Sequence, residues 1–253
     1  MTFRSKSVLA AIGLIGLMAL PTTASALDDA QKQEFGAFIR EYLLANPEII
    51  EEMQTALEAR KQDEQAQVAQ AAITSNRDAI FHDANDMIIG NPDGDVSIVE
   101  FFDYNCGYCK RAMADMTGIV EQDPNVRFVL KEFPILGPDS LAAHRVSMAF
   151  RKLMPEKYGE FHLELLGGSV HATEAHAIDI ATSLGADEAR LREAMKDPSV
   201  DASIKQAYTL ANDLGISGTP SYVVGDEAVF GAMGADVLLS KIANVRACNS
   251  ATC

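Results

Sequence analysis

Two cysteines separated by two residues lie where a predicted strand meets a predicted helix. Residues 96–102 (VSIVEFF) are typical of a buried strand, and residues 110–116 (KRAMADM) of a helix, with the segment CGYC, Cys106 to Cys109, between them. Because unpaired backbone N–H groups and the helix dipole favour a thiolate at a helix N-terminus, we expect Cys106 to be the accessible thiol with the lower pKa. Cys106 would attack disulfides, and Cys109, shielded behind it, would resolve the mixed disulfide.

The CxxC spacing is also half of a common zinc site, which needs a second pair of ligands. The remaining cysteines, Cys248 and Cys253, have four residues between them, and no histidine pair lies near either cysteine pair. We therefore expect no metal, and no cofactor other than the redox-active pair Cys106 and Cys109. The five histidines are expected to be exposed or packed among helices: His82, His144, His162, His171 and His176.

Cys248 and Cys253 are close enough in sequence to bridge and to close a small loop. We favour this structural disulfide over a resolving or regulatory pair, because no flanking pattern supports either of those roles. The net charge of the chain, −15, argues against binding to nucleic acid or to anionic lipid.

The first 26 residues are typical of a secretory signal peptide. They have a basic start, an apolar core over residues 8–20 and small residues at a cleavage site over residues 24–26. We expect export to the periplasm, where disulfides persist and a CxxC is more often redox-active. An uncleaved N-terminal anchor is the alternative.

Residues 27–85 form a predicted helical segment with a linker. Two short apolar stripes, over residues 35–43 and 49–57, are followed by the polar, Ala- and Gln-rich stretch 60–72. The stripes could pack on the main domain or on copies of themselves. We favour oligomerisation, because a segment docked along a domain should have a continuous apolar face. The stripe residues are Phe35, Phe38, Ile39, Tyr42 and Leu43, then Ile49, Ile50, Met53 and Leu57.

Residues 86–253 form the predicted main domain, of the α/β class. A strand, the helix after CGYC and a second strand over residues 126–133 make a βαβ unit, so part of the sheet is parallel. Several helices follow over about 140–212, and the chain then returns to two short strands and a last helix. These final elements are predicted over residues 221–224, 228–230 and 235–247.

The segments EFFDYNCGYCK, from Glu100, and GTPSYV, from Gly218, resemble the DsbA branch of the thioredoxin superfamily. The resemblance covers about residues 86–247. It implies a thioredoxin fold with a helical insertion at about 138–214, preceded by the N-terminal helical segment. That segment is similar to the one in ScsC-like members, which can mediate trimerisation, so we expect a homo-oligomer and favour a trimer.

The resemblance also implies site residues. Pro220 matches the family's cis-proline beside the CxxC, which leaves the backbone of Thr219 free to pair with an incoming peptide. An ordinary trans proline is the alternative. Gly107 and Tyr108, between the cysteines, complete the expected substrate-binding set.

Glu100 matches a buried acid that can relay a proton to and from Cys109, and burial would raise its pKa. Lys131, on the neighbouring strand, occupies a position similar to that of the family's lysine partner for this acid. The alternatives are an exposed edge residue at Glu100 and a plain surface lysine at Lys131. We expect catalytic roles for Cys106, Cys109, Glu100 and Lys131.

Tyr108 departs from the histidine of DsbA oxidases, which as a cation helps to hold the thiolate. CGYC and the threonine before Pro220 resemble DsbC-type isomerases instead. We therefore expect an exported thiol:disulfide oxidoreductase that favours isomerisation of protein substrates and exchanges electrons with a membrane redox partner. The alternatives are a DsbA-type dithiol oxidase and a non-enzymatic protein that binds Cu(I) through its thiolates or holds unfolded chains.

Overall fold

The computed structural model describes residues 27–253, so the predicted signal peptide lies outside the described residues. The described residues divide into two compact units, one over residues 27–56 and the other Leu57–Cys253. In the first unit, α1 (Asp29–Ala45) begins with a capping box: the Asp28 carboxylate accepts a hydrogen bond from the Gln31 N–H, and the Gln31 side chain accepts one from the Asp28 N–H. Helix α1 ends before Pro47, since proline disfavours helical backbone in the residue that precedes it.

Helix α2 (Glu48–Ser75) begins in the first unit and ends in the second. Apolar residues of the predicted stripes are exposed to solvent in the single chain, with Phe38 63% exposed and Met53 65% exposed. An exposed apolar stripe of this kind gains little free energy until another surface covers it. The exposed stripe residues are Phe35, Phe38, Ile39, Tyr42, Leu43, Ile50, Met53 and Leu57.

The second unit is a mixed α/β fold, as the sequence predicts. Its described residues contain a five-stranded sheet in the order β1-β3-β2-β4-β5, in which β2 and β3 are parallel and the other neighbours antiparallel. The strands are β1 (Met87–Gly90), β2 (Val96–Phe102), β3 (Val126–Glu132), β4 (Ser221–Val224) and β5 (Glu227–Phe230).

Helices pack on both faces of this sheet, and five of those described lie between β3 and β4. This block matches the insertion expected at about 138–214, and it places a helical layer beside the end of β2 that carries the cysteines. The helices are α3 (Arg77–Phe81), α4 (Gly107–Gln122), α5 (Pro138–Leu153), α6 (Tyr158–Gly167), α7 (Glu174–Ser183), α8 (Glu188–Ala194), α9 (Pro198–Asp213) and α10 (Ala235–Cys248).

Alternation along β2 separates two apolar clusters. Ile98 and Phe102 point to the face that also buries both cysteines of CGYC, whereas Val99 and Phe101 point to the opposite face. Glu100 shares the face of Ile98 and Phe102, because residues two apart in a strand lie on the same side. The sheet therefore divides the molecule into a redox face and a back face.

The back face is covered partly by the end of the N-terminal segment. Ile73 of α2 and Ile80 and Phe81 of α3 are buried in the cluster that contains Val99 and Phe101. The expected boundary at residue 85 therefore differs from the structural division between Ala56 and Leu57. The sequence did not predict this packing, because the apolar side chains that dock come after the polar stretch 60–72.

Candidate active site

The two cysteines of CGYC lie at the start of α4. Cys106 is the N-cap residue, with an extended backbone, and its N–H donates to the Asp103 carbonyl at 3.0 Å. Both cysteines are free thiols; Cys106 is 6% exposed and Cys109 is fully buried. Cys106 is thus the outer sulfur and Cys109 the inner one, in the order that the sequence predicts.

The surroundings of Cys106 favour a thiolate. A hydrogen bond from the Cys109 thiol, followed by bonds from the Thr219 side chain and from the amides of Cys109 and Tyr108, lowers the pKa of Cys106 to about 5 against the opposing effect of burial. In its thiol form, Cys106 Sγ donates to the Thr219 carbonyl at 3.1 Å. The Thr219–Pro220 peptide bond is cis, as the resemblance implies, and this segment faces the outer sulfur.

Cys109 and Glu100 have the opposite character. The hydrogen bond between Cys109 and Cys106 is the largest cause of the raised pKa of Cys109. Burial and the nearby Glu100 carboxylate raise this pKa further. Glu100 is 3% exposed, and burial, followed by the negative charges of Cys106 and Asp115, raises its pKa to about 8. Glu100 is therefore a buried acid near the inner thiol, rather than an exposed edge residue, and its pKa lies close enough to neutral pH for it to gain or lose a proton.

The expected pairing of Lys131 with Glu100 is wrong. Lys131 lies opposite Phe101 in the parallel register of β2 and β3, so its side chain points to the back face, whereas Glu100 lies opposite Leu130 and points to the redox face. Lys131 is 3% exposed, forms an ion pair with Asp86 and donates to the Ala79 carbonyl at 2.5 Å. It is thus a buried structural lysine that holds α3 and the chain before β1.

Asp103 is a residue of the site that the sequence analysis missed. It is fully buried between β2 and Cys106, and its carboxylate accepts hydrogen bonds from the N–H groups of Ile135 and Leu136 at 2.8 and 2.9 Å and from the Ser140 hydroxyl at 2.8 Å. The carboxylate therefore joins the loop before Cys106 to the loop after β3 and to the start of α5. The sequence signal that could have identified Asp103 was its position just before CGYC in the segment EFFDYNCGYCK.

A buried polar network lies behind this loop and was also missed. Glu132, at the end of β3, contacts His144 Nδ1 and accepts hydrogen bonds from the hydroxyls of Ser147 at 2.6 Å and Tyr158 at 2.8 Å. Tyr104 joins it through its own hydroxyl, 2.8 Å from that of Ser147. These residues come from β3, α5, α6 and the loop before Cys106, so their spacing in sequence carried no signal.

Two of the five histidines belong to this region rather than to the surface. His144 and His162 are buried, and burial lowers the pKa of His162 to about 4, which leaves it neutral. His162 Nδ1 lies 3.3 Å from the Tyr104 hydroxyl. Both histidines pack among helices as expected, but they also form hydrogen bonds in a network, which the sequence analysis did not anticipate.

The exposed rim of the site consists of Gly107 and Tyr108. Tyr108 is 61% exposed, and the guanidinium of Arg111 lies 4.2 Å from the centre of its ring. A cation over a tyrosine ring is held by the negative face of the ring. The rim thus carries an aromatic surface and a positive charge that a bound chain can contact.

The expected tail disulfide is confirmed. Cys248 and Cys253 are bonded, and the loop that they close packs on the β4–β5 turn, where the Ala251 N–H donates to Asp226 at 2.8 Å.

In the described residues, no group of three or more His, Cys, Asp or Glu side chains is arranged to hold a metal ion. Among those same residues, no helix has the length and apolar character needed to cross a bilayer.

The fold and the site together define a class of protein. A CxxC at the N-terminus of a helix, facing a cis-proline segment, on a thioredoxin-type sheet with a helical insertion, is the arrangement of thioredoxin-fold thiol–disulfide oxidoreductases. The chain belongs to the DsbA-like thioredoxin domain family, which matches residues 97–243. Residues 31–64 match the N-terminal domain of the copper resistance protein ScsC.

Solved structures of similar proteins agree with this assignment. A thioredoxin-like oxidoreductase from Silicibacter pomeroyi is 46% identical, covers 68% of this chain and 98% of its own, and has a TM-score of 0.65. ScsC from Proteus mirabilis is 34% identical, with coverage of 85% and 94% and a TM-score of 0.61. A periplasmic thioredoxin-like protein from Salmonella enterica serovar Typhimurium is 27% identical, with coverage of 64% and 91% and a TM-score of 0.54.

Curated relatives are longer. The Na(+)/H(+) antiporters NhaA 3 of Salinispora tropica and NhaA 1 of Salinispora arenicola are each 24% identical over 157 residues, which is 62% of this chain. The match spans about a quarter of the length of these proteins, 24% in each case.

Proposed function

We propose that this chain is an exported, periplasmic thiol:disulfide oxidoreductase that acts on protein substrates and favours disulfide isomerisation. The observation that carries the proposal is the difference between its two thiols: the outer Cys106 has a pKa lowered to about 5, whereas the pKa of the buried Cys109 is raised. A thiolate at neutral pH beside a protonated partner is the arrangement that thiol–disulfide exchange requires. Export is supported by the signal-like first 26 residues and by the periplasmic relative.

The exchange proceeds in two displacements. The Cys106 thiolate attacks one sulfur of a client disulfide, a Cys106–client disulfide forms, the client S–S bond breaks and the second client sulfur leaves as a thiolate. Cys109 then loses its proton, attacks the Cys106 sulfur and releases the first client thiolate. The protein ends as the Cys106–Cys109 disulfide and the client gains two electrons; the reverse sequence oxidises a client dithiol.

Glu100 supports the second displacement. Its pKa, raised to about 8, lies near the working pH, so the carboxyl can exchange a proton with the region of Cys109 as that thiol gains or loses its charge. Isomerisation needs only the first displacement, because another thiol of the client attacks the mixed disulfide and restores the Cys106 thiolate. The neutral Tyr108 favours this mode, since it provides no cation to stabilise the thiolate as the histidine of DsbA oxidases does.

Oligomerisation would support isomerisation. The exposed apolar stripes of α1 and early α2 can join copies of the chain, and several active sites facing one client raise their effective concentration. We propose a homotrimer, on the basis of these stripes and the match of residues 31–64 to the ScsC N-terminal domain. Light scattering should give a trimer for the chain from residue 27, a smaller species for Ile39→Glu and no change for Gln33→Glu, which adds the same charge outside the stripe.

The function is tested with a scrambled, disulfide-bonded client protein. The chain from residue 27 should restore the native disulfides, Cys106→Ser should be inactive, and Cys109→Ser should retain part of the reshuffling but lose net oxidation of a reduced client. If Cys109→Ser lost reshuffling as completely as Cys106→Ser, isomerisation would be contradicted.

Binding of Cu(I) by the thiolate pair is a second candidate function, favoured by the match to a copper resistance protein. Equilibrium dialysis with Cu(I) tests it.

A further inference from the structure

A cleft of about 580 Å³ lies beside β5, the strand at one edge of the sheet. One wall comes from the part of α2 in the second unit, and the other from β5, the β4–β5 turn and the disulfide-closed tail. The lining of the cleft includes Gln62, Gln65, Ala66, Gln70, Ala228 and Phe230.

The cleft is continuous with the redox site. A second cavity of about 390 Å³ is lined by Gln65 and Phe230, which also line the first, and by Thr219 and Pro220. Since Cys106 Sγ lies 3.1 Å from the Thr219 carbonyl, a chain bonded to this sulfur begins beside the second cavity. Phe230, 41% exposed, lies where the two cavities meet.

The outer edge of β5 offers backbone hydrogen-bonding groups. The Gly231 N–H donates to the Pro220 carbonyl, and the antiparallel register places Val229 opposite Tyr222 and Glu227 opposite Val224. Because hydrogen-bonded pairs alternate in such a ladder, the N–H and C=O groups of Ala228 and Phe230 point away from β4. Among the turn, loop and cap hydrogen bonds between backbone groups of residues 27–253, none uses these groups, and both residues line the cleft.

The side chains around this edge are neutral or already paired. Asp226 accepts hydrogen bonds from the Ala251 N–H and from the Gln70 amide, and Glu227 is paired with Lys241. The remaining polar groups on the α2 wall are glutamine amides, which both donate and accept. Such a surface suits a peptide backbone of any sequence, because backbone groups are the same in every client.

We propose that an extended segment of the client polypeptide, adjacent to its reacting cysteine, runs from the Thr219–Pro220 segment past Phe230 and pairs with the outer edge of β5 in this cleft. Strand addition to an exposed edge supplies main-chain hydrogen bonds independent of sequence. The inference rests on the proposed function, because the client is held at Cys106 by a disulfide.

The test compares a long substrate with a short one. The long substrate is an unstructured peptide with a central cysteine disulfide-bonded to glutathione, and the short one is glutathione disulfide; the rate constant of the reduced protein is measured with each. Ala66→Trp fills the cleft from an exposed position of α2, and Val68→Trp is the matched control, since Val68 is exposed on the same helix but does not line the cleft.

Ala66→Trp should lower the rate constant for the peptide about tenfold, the scale of one or two hydrogen bonds lost, and leave that for glutathione disulfide unchanged. Val68→Trp should change neither. Ala228→Pro, which removes an outward N–H at a sheet edge, should act as Ala66→Trp does.

An unchanged rate constant for the peptide in Ala66→Trp would overturn the inference and leave the proposed function intact. A wild-type protein inert to both substrates would overturn the proposed function. A change of molecular mass in Ala66→Trp would identify a second copy as the occupant and overturn the inference.

Discussion

His144 Nε2 accepts a hydrogen bond from the backbone N–H of Tyr104, 3.2 Å away. Because an amide N–H can only donate, this ring nitrogen carries no proton, and the proton lies on Nδ1, which contacts Glu132. Tyr104 stands two residues before Cys106. One histidine of the helical insertion thus connects a buried carboxylate to the backbone that positions the nucleophile.

His144→Ala should lower the free energy of unfolding by about 3 kcal/mol, because it leaves the buried Tyr104 amide without a partner and removes one of the three contacts of the buried Glu132. Urea unfolding of the reduced protein measures this. His171→Ala, at an exposed histidine, should change it by less than about 0.5 kcal/mol. Similar values for the two variants would contradict a role for the network in holding the loop.

Cys109→Ala should raise the pKa of Cys106, because the thiol of Cys109 is the first cause of its low value of about 5. Cys109→Ser retains a hydroxyl donor and should raise it less. The rate of alkylation by iodoacetamide, followed from pH 4 to 9, gives the pKa in each variant. The assignment fails if both variants titrate like the wild type.

Glu100 and Cys106 should give opposite slopes of stability against pH in the reduced protein. Glu100 has a pKa raised from 4.5 to about 8, so the unfolded chain releases its proton first and stability falls between these pH values. Cys106 has a pKa lowered from 9.0 to about 5, so stability rises from pH 5 to 9. Urea titrations should therefore show a steeper rise in Glu100→Gln than in the wild type, and a fall in Cys106→Ser.

Lys131→Met should destabilise the fold by about 3 kcal/mol, because it leaves Asp86 buried without its partner. It should leave the pKa of Cys106 and the reactivity of Cys109 unchanged, since Lys131 lies on the opposite face of the sheet. Alkylation and urea unfolding are measured on the same sample. A shift in thiol reactivity would restore a catalytic role for Lys131.

Replacing both tail cysteines, Cys248→Ser with Cys253→Ser, should lower the free energy of unfolding by about 2 kcal/mol, the value expected for a short disulfide loop. The pKa of Cys106 should not change, because the tail packs on the β4–β5 turn rather than on the redox site. Glutathione disulfide should react at the wild-type rate. A slower reaction would indicate that the tail acts on the active site.

Features that depend on neighbouring residues could be predicted from the sequence. The apolar run Val96–Phe102, the cysteines at the start of α4 and the short spacing of Cys248 and Cys253 each determine local structure, and the structure contains a strand, a helix N-cap and a disulfide at these positions. The order of the thiols also follows locally, since the residue at the cap lies nearer the surface than the third residue of α4, which faces the core.

The partners of each side chain were decided by the tertiary structure. Lys131 and Glu100 lie on adjacent strands, but a shift of one residue in register exchanges the faces of a sheet, and sequence spacing does not specify that shift. Glu132 and His144 meet because α5 packs beside the end of β3. Local periodicity predicts which residues are buried. Which buried groups contact each other depends on how strands and helices from distant parts of the chain pack together.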